Sequence, residues 1–223
     1  MKIGLSRLGF HKTSLVDFPG WPASVVFTAG CPLACPYCHN SRLISYDHPP
    51  EFWETSKILE TLALRRNIIS HLVITGGEPL VHPGLSDLFD LFADLGLTLK
   101  LDTSGILPHR LEKILTHPSL KYVAMDLKVA PDNYSRVGGK NFMDTDILIS
   151  IRLLRSWANS TSNNYEFRTT MAPGVVTSED LVAIRDILQP GERWNQNPYR
   201  KVEGGQESQK SDGLNDDFRQ VPF

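Results

Sequence analysis

The chain has 223 residues, 41% hydrophobic and 22% charged, with a formal charge of −2 and a pI near 6.4. That is enough for one sizeable core and too short for two full domains with linkers. The near-neutral balance argues against a basic surface for nucleic acid or a membrane, and no apolar run approaches the ~20 residues of a spanning helix.

The opening residues Met1-Lys-Ile-Gly-Leu-Ser-Arg7 carry no signal-peptide apolar core. A cytoplasmic protein is therefore expected. Residues 10–22 read as a loop, with the turn signal Pro19-Gly20 and Pro22. Residues 23–28 are short, apolar and β-branched, a buried strand. They lead directly into Ala29-Gly30-Cys31-Pro-Leu-Ala-Cys35-Pro-Tyr37-Cys38-His39-Asn40, which contains all three cysteines of the chain.

A helix is predicted within 52–69, with Thr55 or Ser56 as its cap. A second strand, 71–75, ends at Gly76-Gly77-Glu78-Pro79. An amphipathic helix over 83–95 buries Leu85, Leu88, Phe89 and Phe92, with Gly96 as its stop. A third strand, 98–101, ends at Asp102-Thr103-Ser104-Gly105, and a short helix covers 107–115. A fourth, 122–125, ends at Asp126-Leu127-Lys128. After a Gly-rich loop, a helix spans 144–158. A fifth strand, 165–171, contains Arg168 and ends at Pro173-Gly174, and Thr177-Ser-Glu-Asp180 caps a helix through 188. Trp157, Trp194 and Tyr199 read as packing residues rather than a partner surface. From Pro190 the pattern fails: a sixth strand is expected to be short, near 192–195, or lost. Residues 204–217 are polar and Gly-rich. The division expected is one domain over 1–195 and a disordered tail over 196–223.

Strand and helix alternate about five times, which argues for an α/β fold with a parallel sheet. Every unusual motif follows the carboxyl end of a strand. In a parallel barrel or partial barrel those ends share the face on which sites are built.

The spacing Cys-x3-Cys-x2-Cys puts three thiols on one loop. A Cys3His zinc knuckle with His39 is one reading, making the chain a zinc-binding interaction module. An iron–sulfur cubane suits three clustered thiolates better and leaves one iron open for a substrate. Gly76-Gly77 permits close backbone approach, and Glu78 has the charge to pair with an ammonium. Asp102, Asp126 and Lys128 make a polar patch on an apolar sheet, costly unless paired or used.

Cys31-x3-Cys35-x-Tyr37-Cys38 resembles the signature of radical S-adenosylmethionine (SAM) enzymes. The run His11-Lys-Thr-Ser-Leu-Val-Asp-Phe-Pro-Gly20 together with Cys38-His39-Asn40 resembles one branch of them: activating enzymes of anaerobic ribonucleoside-triphosphate reductase and their pyruvate formate-lyase activase relatives. The resemblance implies a partial (β/α)6 barrel open on one side. Its cofactors would be a 4Fe–4S cluster on Cys31, Cys35 and Cys38, and SAM. Tyr37 and His39 would lie along the adenine. Gly76, Gly77, Glu78 and Pro79 would hold the methionine amine. Asp102, Thr103, Ser104, Lys128 and Arg168 would complete the pocket. Asp102 and Asp126, with the Thr103 and Ala124 carbonyls, would bind a monovalent cation.

The implied reaction is reductive cleavage of SAM, with flavodoxin or ferredoxin as electron donor, and formation of a glycyl radical on a partner protein. The alternatives are another glycyl-radical partner, such as one of pyruvate formate-lyase type, or a small-molecule substrate. Three cysteines leave none for an extra cluster domain.

Overall fold

The computed structural model describes residues 5–47, 49, 51–138 and 144–201. The strands are β1 (Arg7–Ser14), β2 (Ala23–Thr28), β3 (Trp53–Glu54), β4 (His71–Gly76), β5 (Thr98–Thr103), β6 (Leu120–Asp126), β7 (Asn164–Met171) and β8 (Trp194–Pro198). The helices are α1 (Thr55–Arg65), α2 (Leu85–Ala93), α3 (Pro108–Leu115), α4 (Asp144–Ser160) and α5 (Ser178–Ile187). The strands form one eight-stranded sheet in the order β3-β1-β2-β4-β5-β6-β7-β8. From β2 to β8 neighbouring strands are parallel, whereas β1 runs antiparallel to β2 and β3. The end strands β3 and β8 do not pair with each other, so the sheet stays open.

The six parallel strands are those expected of the partial barrel. Two differences from the sequence reading concern its edges. Residues 7–14, read within the N-terminal approach and a loop, form β1, which covers the free edge of β2. The sixth parallel strand is present and lies later than expected, at Trp194–Pro198. It crosses the boundary expected at 195/196, so the barrel unit runs past that point. The remainder of the expected tail, 202–223, lies outside the described residues.

Alternation along each strand divides the sheet into two faces. On β5, Leu99 and Leu101 face the helices, while Lys100 and Asp102 face inward. On β6, Val123 and Met125 alternate with Tyr122, Ala124 and Asp126 in the same way. The outer face and the helices share the main core, which includes Phe89, Phe92, Phe167, Leu72 and Ile74. In α2, Leu85, Leu88, Phe89 and Phe92 are buried, the i, i+3, i+4, i+7 stripe the sequence showed. The inner face holds a smaller apolar cluster of Phe18, Ala23, Val25, Val73 and Tyr122.

The caps are mixed. Thr177 and Asp180 form the expected capping box on α5. At α1 the cap position is Glu54, whose side chain makes no capping bond, and the Thr55 hydroxyl donates to the Leu5 carbonyl at 2.7 Å.

Candidate functional site at the carboxyl ends of the parallel strands

Parallel register brings the strand ends to one rim. Thr28 stands beside Gly76, Thr103 beside Met125, and Asp126 beside Arg168. One cavity at this rim is lined by Cys31, Cys35, Tyr37, Cys38, His39, Gly76, Gly77, Asp102, Thr103, Ser104, Asp126, Lys128 and Arg168. Those are the expected site residues apart from Glu78 and Pro79. Leu33, Asn40, Ile44, Thr75 and Thr170 also line it. Thr75 and Thr170 were legible in principle, as inward positions near strand ends.

The cysteine loop leaves β2 and is tied at its base by Gly30 N–H to the Leu43 carbonyl (2.7 Å) and Cys31 N–H to the Ile44 carbonyl (3.0 Å). Within it, Cys38 N–H donates to the Cys35 carbonyl at 3.0 Å. His82 Nε2 lies 2.8 Å from the carbonyl of Ala29, just before the loop, a role not suggested by its place in the sequence. All three thiols are free and half-buried. Burial pushes the Cys31 thiol up to about 12, with Glu78 adding and the Leu33 amide and Lys128 opposing. Burial also raises Cys35, against the pull of Lys128. A metal claiming these thiols must displace their protons.

Gly76-Gly77 serves the backbone first. Gly77 N–H donates to the Thr28 carbonyl and Glu78 N–H to the Gly30 carbonyl, both at 2.9 Å. A Cβ on Gly76 would lie 2.3 Å from Thr28 backbone atoms, and one on Gly77 2.3 Å from the Gly30 carbonyl oxygen. The two loops therefore touch main chain to main chain, which only glycine permits here.

Glu78 departs from its expected position. Its side chain is 1% exposed and does not line the cavity. It accepts from Leu80 N–H (3.1 Å), Thr103 Oγ1 (2.8 Å), Ser104 N–H (2.7 Å) and the Ser104 hydroxyl. Burial raises its pKa, and those four donors oppose the rise. The carboxylate thus fastens the β4 loop to the end of β5. Pro79 is buried in the turn beside it.

The inner face carries an alternating row of charge. Lys100 Nζ lies 2.8 Å from Asp102 Oδ1, and Arg168 Nη1 lies 3.0 Å from Asp102 Oδ2. Arg168 Nε lies 2.9 Å from Asp126 Oδ1, and Lys128 Nζ lies 3.2 Å from Asp126 Oδ2. Between Asp102 and Arg168 the intervening inward residue of β6 is Ala124, short enough for the guanidinium to reach across. Burial alone would lower the Arg168 pKa, but Asp102 and Asp126 raise it. Burial opposes ionisation of Asp126 as well, and Arg168 and Lys128 nonetheless hold its carboxyl below the ordinary carboxylate value.

This arrangement bears on the expected monovalent cation. Arg168 already bridges both carboxylates, Lys128 pairs with Asp126, and Lys100 Nζ is taken up by Asp102 and the Asp17 carbonyl. The two carboxylates expected to take the cation are thus partnered by cationic side chains.

The fit to the expected cofactors can be judged from the chain itself. The donors on the loop are three free thiols lining one cavity, and thiolates are the usual ligands of an iron–sulfur cubane. The Tyr37 hydroxyl is buried without a hydrogen-bond partner at the cavity, an arrangement a bound polar ligand relieves. Lys128 and Arg168, the cationic side chains lining the cavity, offer partners to a carboxylate such as that of SAM. Tyr199, just beyond β8, has its ring 6.3 Å from that of His39. Trp194 packs against the core as expected, and its indole N–H donates to Thr169 Oγ1 at 3.0 Å.

Comparison with known proteins places these features in a family. The chain is 24% identical over 217 residues to a Methanocaldococcus jannaschii protein named, by inference, as a glycyl-radical enzyme activating enzyme; the alignment covers 96% of this chain and 85% of that one. It is 33% identical over 144 residues to the pyruvate formate-lyase-activating enzyme of Clostridium pasteurianum, covering 58% and 56%. It is 35% identical over 91 residues to the 7-carboxy-7-deazaguanine synthase of Pyrobaculum aerophilum, covering 40% of each chain. The fold is similar to that of Streptococcus suis SuiB, with a TM-score of 0.58 at 15% identity over 86% of this chain and 41% of that one. No helix among the described residues is long and apolar enough to cross a membrane. The Radical SAM superfamily model matches residues 25–165, from within β2 to the start of β7. That span holds the cysteine loop and the ends of β4, β5 and β6, and sets the zinc module aside. The chain belongs to the radical SAM superfamily, enzymes that work with a 4Fe–4S cluster and SAM.

Proposed function

We propose that the protein is a glycyl-radical enzyme activase and that its substrate is an anaerobic ribonucleoside-triphosphate reductase. The observation that carries the reading is the length of one alignment. A relative named as a glycyl-radical enzyme activating enzyme matches along 96% of this chain. The run 11–20 and Cys38-His39-Asn40 support the reductase as the partner.

Cys31, Cys35 and Cys38 would hold the cluster. When bound there with SAM, it supplies one-electron cleavage of the sulfonium and a radical strong enough to take a hydrogen atom from glycine. Lys128 and Arg168 would receive the SAM carboxylate, since they are the cationic side chains that line the cavity. The methionine amine would meet the Gly76-Gly77 backbone, because the Glu78 carboxylate is already filled. Tyr37 and His39 offer flat rings to the adenine. Asp102, Thr103 and Ser104 would bound the ribose side. The open edge between β3 and β8 gives a protein loop lateral access that a closed barrel would deny. A flavodoxin or ferredoxin would deliver the electron.

The 35% identity to a 7-carboxy-7-deazaguanine synthase favours a second reading, a small-molecule substrate, over a shorter stretch. Anaerobic reconstitution followed by reduction, with SAM and the purified reductase, separates the two. A glycyl doublet in electron spin resonance is expected. Deoxyadenosine release without that doublet would reject the reductase as substrate.

A further inference from the structure

The apex of the cysteine loop is held from a distance. Among the described residues, the backbone hydrogen bond that ties this apex to another element is Ala34 N–H to the Val137 carbonyl, at 3.0 Å. The Cys35 thiol points at the same carbonyl, 3.9 Å away. Val137 closes a 3₁₀ segment, Pro131–Val137, and is itself fully buried. Gly138 follows with φ of +81°, and a Cβ there would lie 2.6 Å from the Ala34 nitrogen. The segment therefore packs directly on the loop, although in sequence it read only as part of a connection.

Asp180 fixes that segment. Its side chain is fully buried. Oδ1 accepts from Ala130 N–H (3.1 Å), Asn133 Nδ2 (2.8 Å) and Arg136 Nη2 (2.7 Å). Oδ2 accepts from Thr177 N–H (2.9 Å) and the Thr177 hydroxyl (3.2 Å). Arg136 Nη1 also donates to the Val175 carbonyl at 2.7 Å. One oxygen thus caps α5, as the sequence predicted, and the other grips the segment that touches the cysteine loop. An ordinary capping box needs only the first of these. A buried carboxylate with three further donors from another element joins two parts of the fold rigidly.

We infer that Asp180, acting through Asn133 and Arg136 on Pro131–Val137, is a positioning residue for the cysteine loop: it holds Val137 against Ala34 and Cys35. The role does not depend on which substrate the enzyme uses. None of the three side chains lines the cavity.

The two oxygens make the inference testable, since each side can be cut alone. In the 223-residue chain, Arg136→Ala and Asn133→Ala each remove one side-chain partner of Oδ1, Arg136→Ala also its bond to the Val175 carbonyl, while Thr177→Ala removes the hydroxyl partner of Oδ2. Two readouts apply: amide hydrogen exchange over 31–38 in the reduced apoprotein, and the rate at which a ferrous chelator strips iron from reconstituted protein. Arg136→Ala is expected to speed both about tenfold, the ratio a charge-assisted hydrogen bond supplies, with exchange in β5 and β6 unchanged. Asn133→Ala should do the same to a smaller degree, and stands in if Arg136→Ala folds poorly. Thr177→Ala should lower the melting temperature and leave both rates as in the wild type. Unchanged exchange over 31–38 in both Oδ1-side variants overturns the inference. So does an equal acceleration in Thr177→Ala, because the effect would then be one of general stability.

Discussion

The two faces of this sheet are made by the same strands and obey different rules. On the outer face Leu99, Leu101, Val123, Met125 and Phe167 are almost fully buried against helices. On the inner face, one residue along, stand Lys100, Asp102, Asp126 and Arg168. Parallel strands are usually apolar on both faces, because both are normally covered. Here the inner face carries paired charge where the strands reach the cavity. The outer face acts in bulk, through area removed from water. The inner face acts through a few directed contacts, so it tolerates little change in geometry.

Predictions follow from the difference. The largest effect belongs to the cluster loop: Cys35→Ala should abolish the reconstituted cluster, and with it SAM cleavage, measured as iron content and deoxyadenosine release. Next are one change on each face. Phe89→Ala on the outer side should cost about 3–5 kcal/mol in denaturant unfolding and leave SAM affinity intact in the folded fraction. Arg168→Ala on the inner side removes the partner that Asp102 and Asp126 share, while Lys100 and Lys128 stay paired with them. It should cost about 1–3 kcal/mol and also remove SAM binding, read by calorimetry on reconstituted protein. If both variants lose stability alone, the proposed division of labour between the faces fails.

A smaller effect is expected for Ala124→Leu, which puts a longer side chain where Arg168 crosses to Asp102. It should weaken SAM binding while overpacking costs about 1–3 kcal/mol. Replacing potassium and sodium with a bulky organic cation should leave SAM affinity unchanged, because Arg168 already bridges the carboxylates; a strong potassium requirement would reverse this assignment. The smallest effect is in pH dependence. The carboxyl of Asp126 is held below its ordinary value, so its contribution to stability is present above the unfolded value near 3.8 and is lost as pH falls through the lower folded value. Acid unfolding of the wild type should accordingly be steeper below pH ~4 than that of Arg168→Gln.

Much of this was legible in the chain, and the exceptions have physical causes. The helix stripe of α2 and the capping box of α5 are local patterns and appear as read. β1 was missed because Arg7–Ser14 is half polar and becomes a strand by pairing with β2. β8 reads Trp-Asn-Gln-Asn-Pro, a poor strand by propensity. It is extended because β7 offers it a ladder, with Phe167 N–H donating to the Arg193 carbonyl at 2.8 Å beside it. Lys100 belongs to no motif, although its inward position two before Asp102 could have marked it. Glu78 had the right residue type for an amine, yet its partners Thr103 and Ser104 lie 25 and 26 residues away.

By itself the sequence determined the three-thiol loop, the alternation of strand and helix, and the gathering of motifs at strand ends, because spacing and period are properties of neighbours along a chain. Which carboxylate faces the cavity, which arginine joins two aspartates and which buried aspartate steadies the cysteine loop were decided only in the tertiary structure. Those outcomes depend on distances between segments far apart in sequence, and a hydrogen bond or ion pair is made or lost within about an ångström.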